Sequence, residues 1–278
     1  PGTEFVVCRQ EGGAAMMAEA HGKLTGSPGV CFVTRGPGAT NASAGVLVAS
    51  QDSTPMLLLV GQIDSAARER QAFQEVDYRQ MFGGLAKWVA EVDDARRLPE
   101  FVHRAMATAS AGRAGSVVLA LPEDMLTSTV ETAPGRPWQP TRSYPDPRAI
   151  DQAMDWLAKA ERPLVILGGG GWDKRGIADI RRFVEANALP TAVVCRRQDY
   201  LDNTHPCYMG DLGIAPNPAL VERLNAADLL LVIGARLGEM TTNAYSLIGL
   251  PQPRQRMIHA LNGAEELGRV YQPDLAIH

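Results

Sequence analysis

Lysine is nearly missing from this chain: of 27 cationic residues only Lys23, Lys87, Lys159 and Lys174 are lysines, and the arginines are scattered rather than clustered. With a net charge of −4 and a pI near 5.8, there is no basic footprint for nucleic acid. Cysteine is scarce as well. Cys8, Cys31 and Cys195 lie in apolar, strand-like runs and Cys207 follows His205-Pro206, with no Cys-x-x-Cys pair among them. A chain of 278 residues does not need disulfides to hold its core, so reduced thiols in a cytoplasmic protein are expected. Long apolar runs are absent too; nothing reaches the roughly 18 residues that a membrane-spanning helix needs. The five histidines (His21, His103, His205, His259, His278) show no metal spacing. There is no Gly-x-Ser-x-Gly elbow, no His-Glu-x-x-His and no Walker loop. No signal peptide is visible at Pro1-Gly2-Thr3.

What is present is an ordinary globular composition, 45% hydrophobic and 21% charged, at a length that suits about two domains. Strands are expected at Glu4–Cys8, Val30–Thr34, Met56–Val60, Lys87–Val92 and Ser116–Leu121. Helices are expected at Gly13–Thr25, Asn41–Ser50, Tyr78–Gly83 and Leu98–Ala111. Alternation of this kind implies βαβ units. The nearly continuous apolar strands imply a parallel sheet covered on both faces. Five prolines between Pro134 and Pro147 then predict a semi-rigid linker over 134–147. Beyond it the alternation restarts. Helices are expected at Ala149–Ala160, Arg175–Ala188 and Asn217–Ala226, and strands at Pro163–Leu167, Thr191–Cys195, Leu229–Gly234 and Gln255–Ala260. The fold class is therefore α/β, as two doubly wound, mostly parallel, Rossmann-like domains over 1–133 and 148–278.

One carboxylate stands out. In Arg9-Gln10-Glu11-Gly12-Gly13-Ala14-Ala15 an apolar run gives way to a helix of small residues, and Glu11 marks the change. Taken alone, Glu11 is an acid favouring the first turn of a helix. Its position at a strand's carboxyl end, where such sheets bind ligands, suggests more. The next strand ends in Arg35-Gly36-Pro37-Gly38-Ala39-Thr40-Asn41, read locally as a stiff turn with Thr40 or Asn41 capping the following helix. Then come Gln51-Asp52-Ser53-Thr54-Pro55-Met56, Gly61-Gln62 and Ala72-Phe73-Gln74-Glu75.

This ordered set resembles the pyrimidine-binding domain of thiamine-diphosphate enzymes, especially acetolactate synthases and sulfoacetaldehyde acetyltransferase. The resemblance covers nearly the whole chain, as a pyrimidine domain followed by the family's central domain. It implies that the first strand–helix unit is missing at the N-terminus. It also implies that the third domain, which binds Mg²⁺ and diphosphate through Gly-Asp-Gly and Asn-Asn, is absent. Gly210-Asp211-Leu212-Gly213 breaks that motif and is read as a turn, so no metal ligand is assigned. Glu11 becomes the catalytic glutamate, which shares a proton with N1′ of the aminopyrimidine. That task calls for a buried carboxyl with a raised pKa. Gly36, Pro37, Gly38, Asn41 and Gln74 become cofactor-lining residues, Phe73 and Gln74 line the substrate cleft, and Lys87-Trp88 is structural. Small residues over Gly12–Ala20 and Ala39–Val48 leave helix faces made to pack against something large. In the family the cofactor lies between subunits, so a homodimer or homotetramer is expected, without nucleic acid or membrane as partner.

Three departures qualify the resemblance. Gln10 stands where the family often has His, and cannot titrate. Leu121-Pro122-Glu123-Asp124 stands where acetolactate synthases read Leu-Pro-Lys-Asp, reversing a charge near the substrate. In the second domain Gly168-Gly169-Gly170-Gly171 fails the dinucleotide fingerprint, because Asp173 takes the position of its third glycine; the run reads as a tight turn. Gly234-Ala235-Arg236-Leu237 resembles the Gly-Ala-Arg-Phe of flavin-binding relatives, but Gly238-Glu239-Met240 replaces Asp-Asp-Arg, leaving FAD as the lesser alternative. The expected activity makes or breaks a C–C bond next to the keto group of a 2-keto acid. Other thiamine-diphosphate chemistry (decarboxylation, acetyl transfer to phosphate, oxalyl-CoA-type cleavage) stays open, as does a non-catalytic nucleotide-binding or assembly role.

Overall fold

The structure is a computed structural model that describes residues 4–133 and 135–278. Pro1, Gly2 and Thr3, at the start of the expected first domain, and Pro134, the first residue of the expected linker, lie outside the described residues. The chain divides into two compact units, Pro1–Thr141 and Arg142–His278. Both are parallel α/β sheets with helices on both faces. Among the described residues no helix is long and apolar enough to cross a membrane.

The first unit holds β1 (Gly29–Val33), β2 (Met56–Gln62), β3 (Trp88–Glu91) and β4 (Ser116–Pro122), in the spatial order β1-β2-β4-β3. β4 is buried along all its length and β2 nearly so, as centrally placed apolar strands should be. Each fully buried Leu or Val there is worth about 1.5–3 kcal/mol. β1 behaves differently. It pairs with β2 and alternates, burying Cys31 and Val33 while Val30 and Phe32 stay exposed. The strand expected at Glu4–Cys8 does not form. Phe5, Val6 and Val7 are exposed coil, because β-propensity becomes a strand only where a neighbouring edge accepts its hydrogen bonds.

Helix α1 (Glu11–Thr25) starts two residues before Gly13, since Gln10 caps it: Gly13 N donates to Gln10 Oε1 at 2.7 Å. Helix α2 (Pro37–Asp52) begins four residues before Asn41. Neither Thr40 nor Asn41 is its cap; Pro37 supplies the pre-set φ of a first helical position, and Gly36 precedes it. Small residues of the two helices meet each other. A Cβ on Gly45 would lie 2.5 Å from that of Ala15. Among the described residues the unit also holds α3 (Tyr78–Phe82), α4 (Leu98–Ser110) and the short α5 (Glu123–Thr127), the last of which was not expected.

The second unit has six strands: β5 (Pro163–Leu167), β6 (Thr191–Val194), β7 (Tyr208–Leu212), β8 (Leu229–Ile233), β9 (Arg256–Ala260) and β10 (Leu275–Ile277), in the order β10-β9-β8-β5-β6-β7. Helices α6 (Pro147–Lys159) and α7 (Lys174–Ala186) share one core, while α8 (Pro218–Ala226) packs into another. Gly210-Asp211, read as a turn, lies inside β7. There Gly210 adopts φ +115° beside a register shift between Thr191 and Ala192. An edge strand can carry such polar, irregular residues because only one side must pair. β10 escapes sequence reading because three residues carry too little period to register.

Candidate functional site

The carboxyl ends of β1, β2, β4 and β3 face the loops that bear most of the expected site residues. At the start of α1 the backbone turns out of the extended Gln10, which places Glu11 in the first helical turn. Asn41 Nδ2 donates to Glu11 Oε2 at 3.0 Å, so these two expected residues are in direct contact. The Asn41 amide, with help from Glu11's own backbone N–H, holds the carboxyl below its ordinary range against a weaker effect of burial. This corrects the expectation of a buried glutamate with a raised pKa. In this chain Glu11 is only partly covered, and its hydrogen bonds favour the charged form.

The second contact joins Gly36 and Gln74. Gly36 sits at φ +63°, ψ −112°, and a Cβ there would lie 2.7 Å from Gln74 Cβ. Gln74 is itself at φ +66°, so the loop bends sharply to reach Gly36. Gly36 N donates to Tyr78 Oη at 2.9 Å, which ties the same turn to α3. Burial pushes the Tyr78 phenol up, and it stays a neutral hydroxyl. Pro37 and Gly38 follow in the first turn of α2. Phe73 is not drawn in; it is 79% exposed. Lys87 and Trp88 are structural, Lys87 Nζ donating to Ala111 O at 2.6 Å and Trp88 stacking on Phe101.

Sequence reasoning missed a polar chain across the strand ends. Arg35, after β1, meets Glu123, after β4, at 2.8 Å. Asp124 accepts from Ser65 N and Oγ at 3.0 and 3.1 Å. Arg68 donates to Ser65 Oγ at 3.2 Å and pairs with Glu91 and Asp93. Burial raises the Glu91 carboxyl, and the Arg68 charge opposes that. The signal was half visible: Glu123 stood out as a reversed charge, but its partner lies 88 residues away in sequence.

The residues fit an aminopyrimidine. Glu11 offers a carboxyl group able to share a proton with a ring nitrogen, and beside it a Cβ on Gly13 would meet nothing nearer than Gln10 Oε1 at 3.8 Å, so a flat ring has room to approach the backbone. Among the described residues no group of three or more His, Cys, Asp or Glu is placed to hold a metal.

A parallel α/β unit with a carboxylate at its ligand-binding edge, joined to a second such unit, defines the class. Residues 1–81 match the family described as "Thiamine pyrophosphate enzyme, N-terminal TPP binding domain", and residues 150–278 match "Thiamine pyrophosphate enzyme, central domain". The chain belongs to the thiamine pyrophosphate enzymes. It is 30% identical over 279 residues to acetolactate synthase isozyme 2 large subunit of Escherichia coli, covering 99% of this chain and 50% of that one. It is 31% identical over 278 residues to acetolactate synthase of Bacillus subtilis, covering 99% and 48%. A third relative, the acetolactate synthase large subunit of Corynebacterium glutamicum, is 29% identical over 279 residues, covering 98% and 44%. The chain spans about half the length of the curated relatives it matches.

Proposed function

We propose that this chain supplies the pyrimidine-binding and central domains, over 1–133 and 148–278 with a linker between, of an acetolactate-synthase-like enzyme acting next to the keto group of a 2-keto acid. The observation that carries the reading is the Glu11–Asn41 contact at 3.0 Å, on the edge where α/β sheets take ligands. When bound, thiamine diphosphate supplies the carbon nucleophile and electron sink of the reaction. Glu11 holds the proton shared with N1′, and Asn41 keeps the carboxylate turned to that task. Gly36, Pro37, Gly38 and Gln74 would form the cofactor edge, with Gln74 pressed against Gly36; Phe73, exposed in this chain, would line the substrate cleft with Gln74 as the resemblance implies. Covering Glu11 with a ring and a second protomer would remove water from it and oppose the lowering that Asn41 causes. The exposed Val30, Phe32 and Val7 support association as a homodimer or homotetramer. Mg²⁺ belongs with a diphosphate-binding domain, as the family resemblance implies. The four free cysteines suit a reducing, cytoplasmic setting.

The test is Glu11→Gln in the protein assayed with thiamine diphosphate and Mg²⁺. An amide cannot share the proton, so turnover should fall about 10²–10⁴-fold while circular dichroism stays unchanged. Turnover at the unsubstituted level would remove Glu11 from the catalytic role. A second reading keeps the cofactor and changes the acceptor. It is favoured by Glu123, whose carboxylate, paired with Arg35, stands where the resembling enzymes carry Lys. Product analysis separates the two: acetolactate from pyruvate supports the first, and aldehyde or acetyl phosphate the second.

A further inference from the structure

In the second unit the chain winds outward from β5 through β6 and β7, then returns to lay β8 on the other side of β5. The crevice above the carboxyl ends of β5 and β8 is thus the switch point, where open α/β sheets bind their ligands. A cavity of about 460 Å³ lies there. Its walls are apolar, with Ile150, Met154 and Leu157 from α6, Phe183 from α7, and Leu231 and Ile233 from β8. Part of its floor is bare backbone, from Gly170 and Gly171 after β5 and Gly234 after β8. These turns touch: a Cβ on Gly169 would lie 1.9 Å from Gly234 O.

Three side chains, Asp173, Trp172 and Asn262, set what can enter. A dinucleotide places its pyrophosphate on the amides at a helix N-terminus. Here Asp173, which lines the cavity, caps α7 itself; Gly176 N donates to its Oδ1 at 2.7 Å. One amide is therefore taken, and a carboxylate stands where the phosphates would go. Trp172 occupies the crevice with its indole. Its Nε1 donates to Gly168 O at 2.9 Å, and its ring lies 5.2 Å from that of Tyr200. The indole nitrogen is also 3.0 Å from where a Gly234 Cβ would be, so the absence of a side chain at Gly234 makes room for the protein's own indole. Asn262, beside Gly171, gives the cavity an amide.

We infer that this cavity rejects dinucleotides, FAD included, and takes a compact, uncharged ligand of mostly apolar surface. Asp173 occupies the place a phosphate would take and has its own cation in Arg142 at 3.7 Å, the walls favour apolar area, and Asn262, with Ser143 and His278 at the lining, offers the few polar contacts.

The experiment titrates the 278-residue chain with FAD, with ADP and with the neutral dye Nile red. The flavin and ADP are followed by tryptophan fluorescence, the dye by its own emission. FAD and ADP should show dissociation constants weaker than about 1 mM, and Nile red saturable binding near the micromolar range. Met154 and Ile150 are 46% and 39% exposed at the cavity, so Met154→Trp and Ile150→Trp fill it with little risk to the fold. Each should weaken Nile red binding at least about tenfold, with circular dichroism unchanged, and one folded variant suffices. Micromolar binding of FAD or ADP overturns the inference. So does Nile red binding that is absent, or that is untouched by the folded variant.

Discussion

Gly36→Ala perturbs the site where two of its walls meet, and its cost can be built from geometry. A non-glycine residue at φ +63°, ψ −112° sits in a region nearly closed to L-residues, at about 1–3 kcal/mol. The new methyl would lie 2.7 Å from Gln74 Cβ and 3.2 Å from Gln74 Cα, so the loop must shift; overpacking of this kind costs about 1–3 kcal/mol. Together these give about 2–6 kcal/mol, or a fall in Tm of roughly 5–20 °C for a unit of this size. Gly26→Ala separates the two contributions. Gly26 is at φ +72° with nothing within 4 Å of its Cβ, so only conformational strain applies, about 1–2 kcal/mol. Adding Gln74→Gly to Gly36→Ala removes the opposing Cβ and suits φ +66°, and should recover about 1–3 kcal/mol. Thermal melts of the three variants and the unsubstituted chain decide it. If Gly36→Ala melts no lower than Gly26→Ala, or Gln74→Gly recovers nothing, the Gly36–Gln74 contact is not what holds this loop.

The Asn41→Ala variant removes the main cause of the depressed Glu11 carboxyl, so its pKa should rise toward the ordinary value; carboxyl NMR titration reads the shift, and no change would detach Asn41 from Glu11. Asp228 accepts from Glu161 N at 2.8 Å and Arg162 N at 3.0 Å; burial pushes its pKa up, but these bonds together with its own backbone N–H and the Arg162 charge hold the folded-state value down. Its contribution to stability should therefore be full above the unfolded value of about 4 and be lost as pH falls through the folded value. Denaturant midpoints of Asp228→Asn and the unsubstituted chain should converge on acidification, and parallel curves would oppose the assignment. Cys31 is pushed up to about 11, chiefly by burial, so at pH 8 it should resist iodoacetamide until the chain unfolds; labelling in the folded state, read by mass spectrometry, would contradict that.

Local patterns carried most of the fold. Apolar runs such as Leu57–Val60 and Val117–Leu121 are buried on both faces of a parallel sheet, and only continuous apolar sequence satisfies that requirement, so these strands were legible. Helix ends were less so. Asn41 looks like a cap and the run before it like a stiff turn, yet Pro is favoured at the first helical position and Asn41 is turned to Glu11 instead. Glu4–Cys8 has the composition of a strand and is not one, because pairing depends on a neighbouring edge that composition does not reveal. The type and order of the proposed site residues, Glu11, Gly36, Asn41 and Gln74, are motif readings, and the structure brings Glu11 to Asn41 and Gly36 to Gln74. Their partners were not legible. The Glu11 carboxyl is held below its ordinary range because Asn41, 30 residues on, donates to it, and Glu123 is paired with Arg35 across 88 residues. Such pairings arise only when separate strand ends converge, since Coulomb and hydrogen-bond energies depend on distance in space and not along the chain.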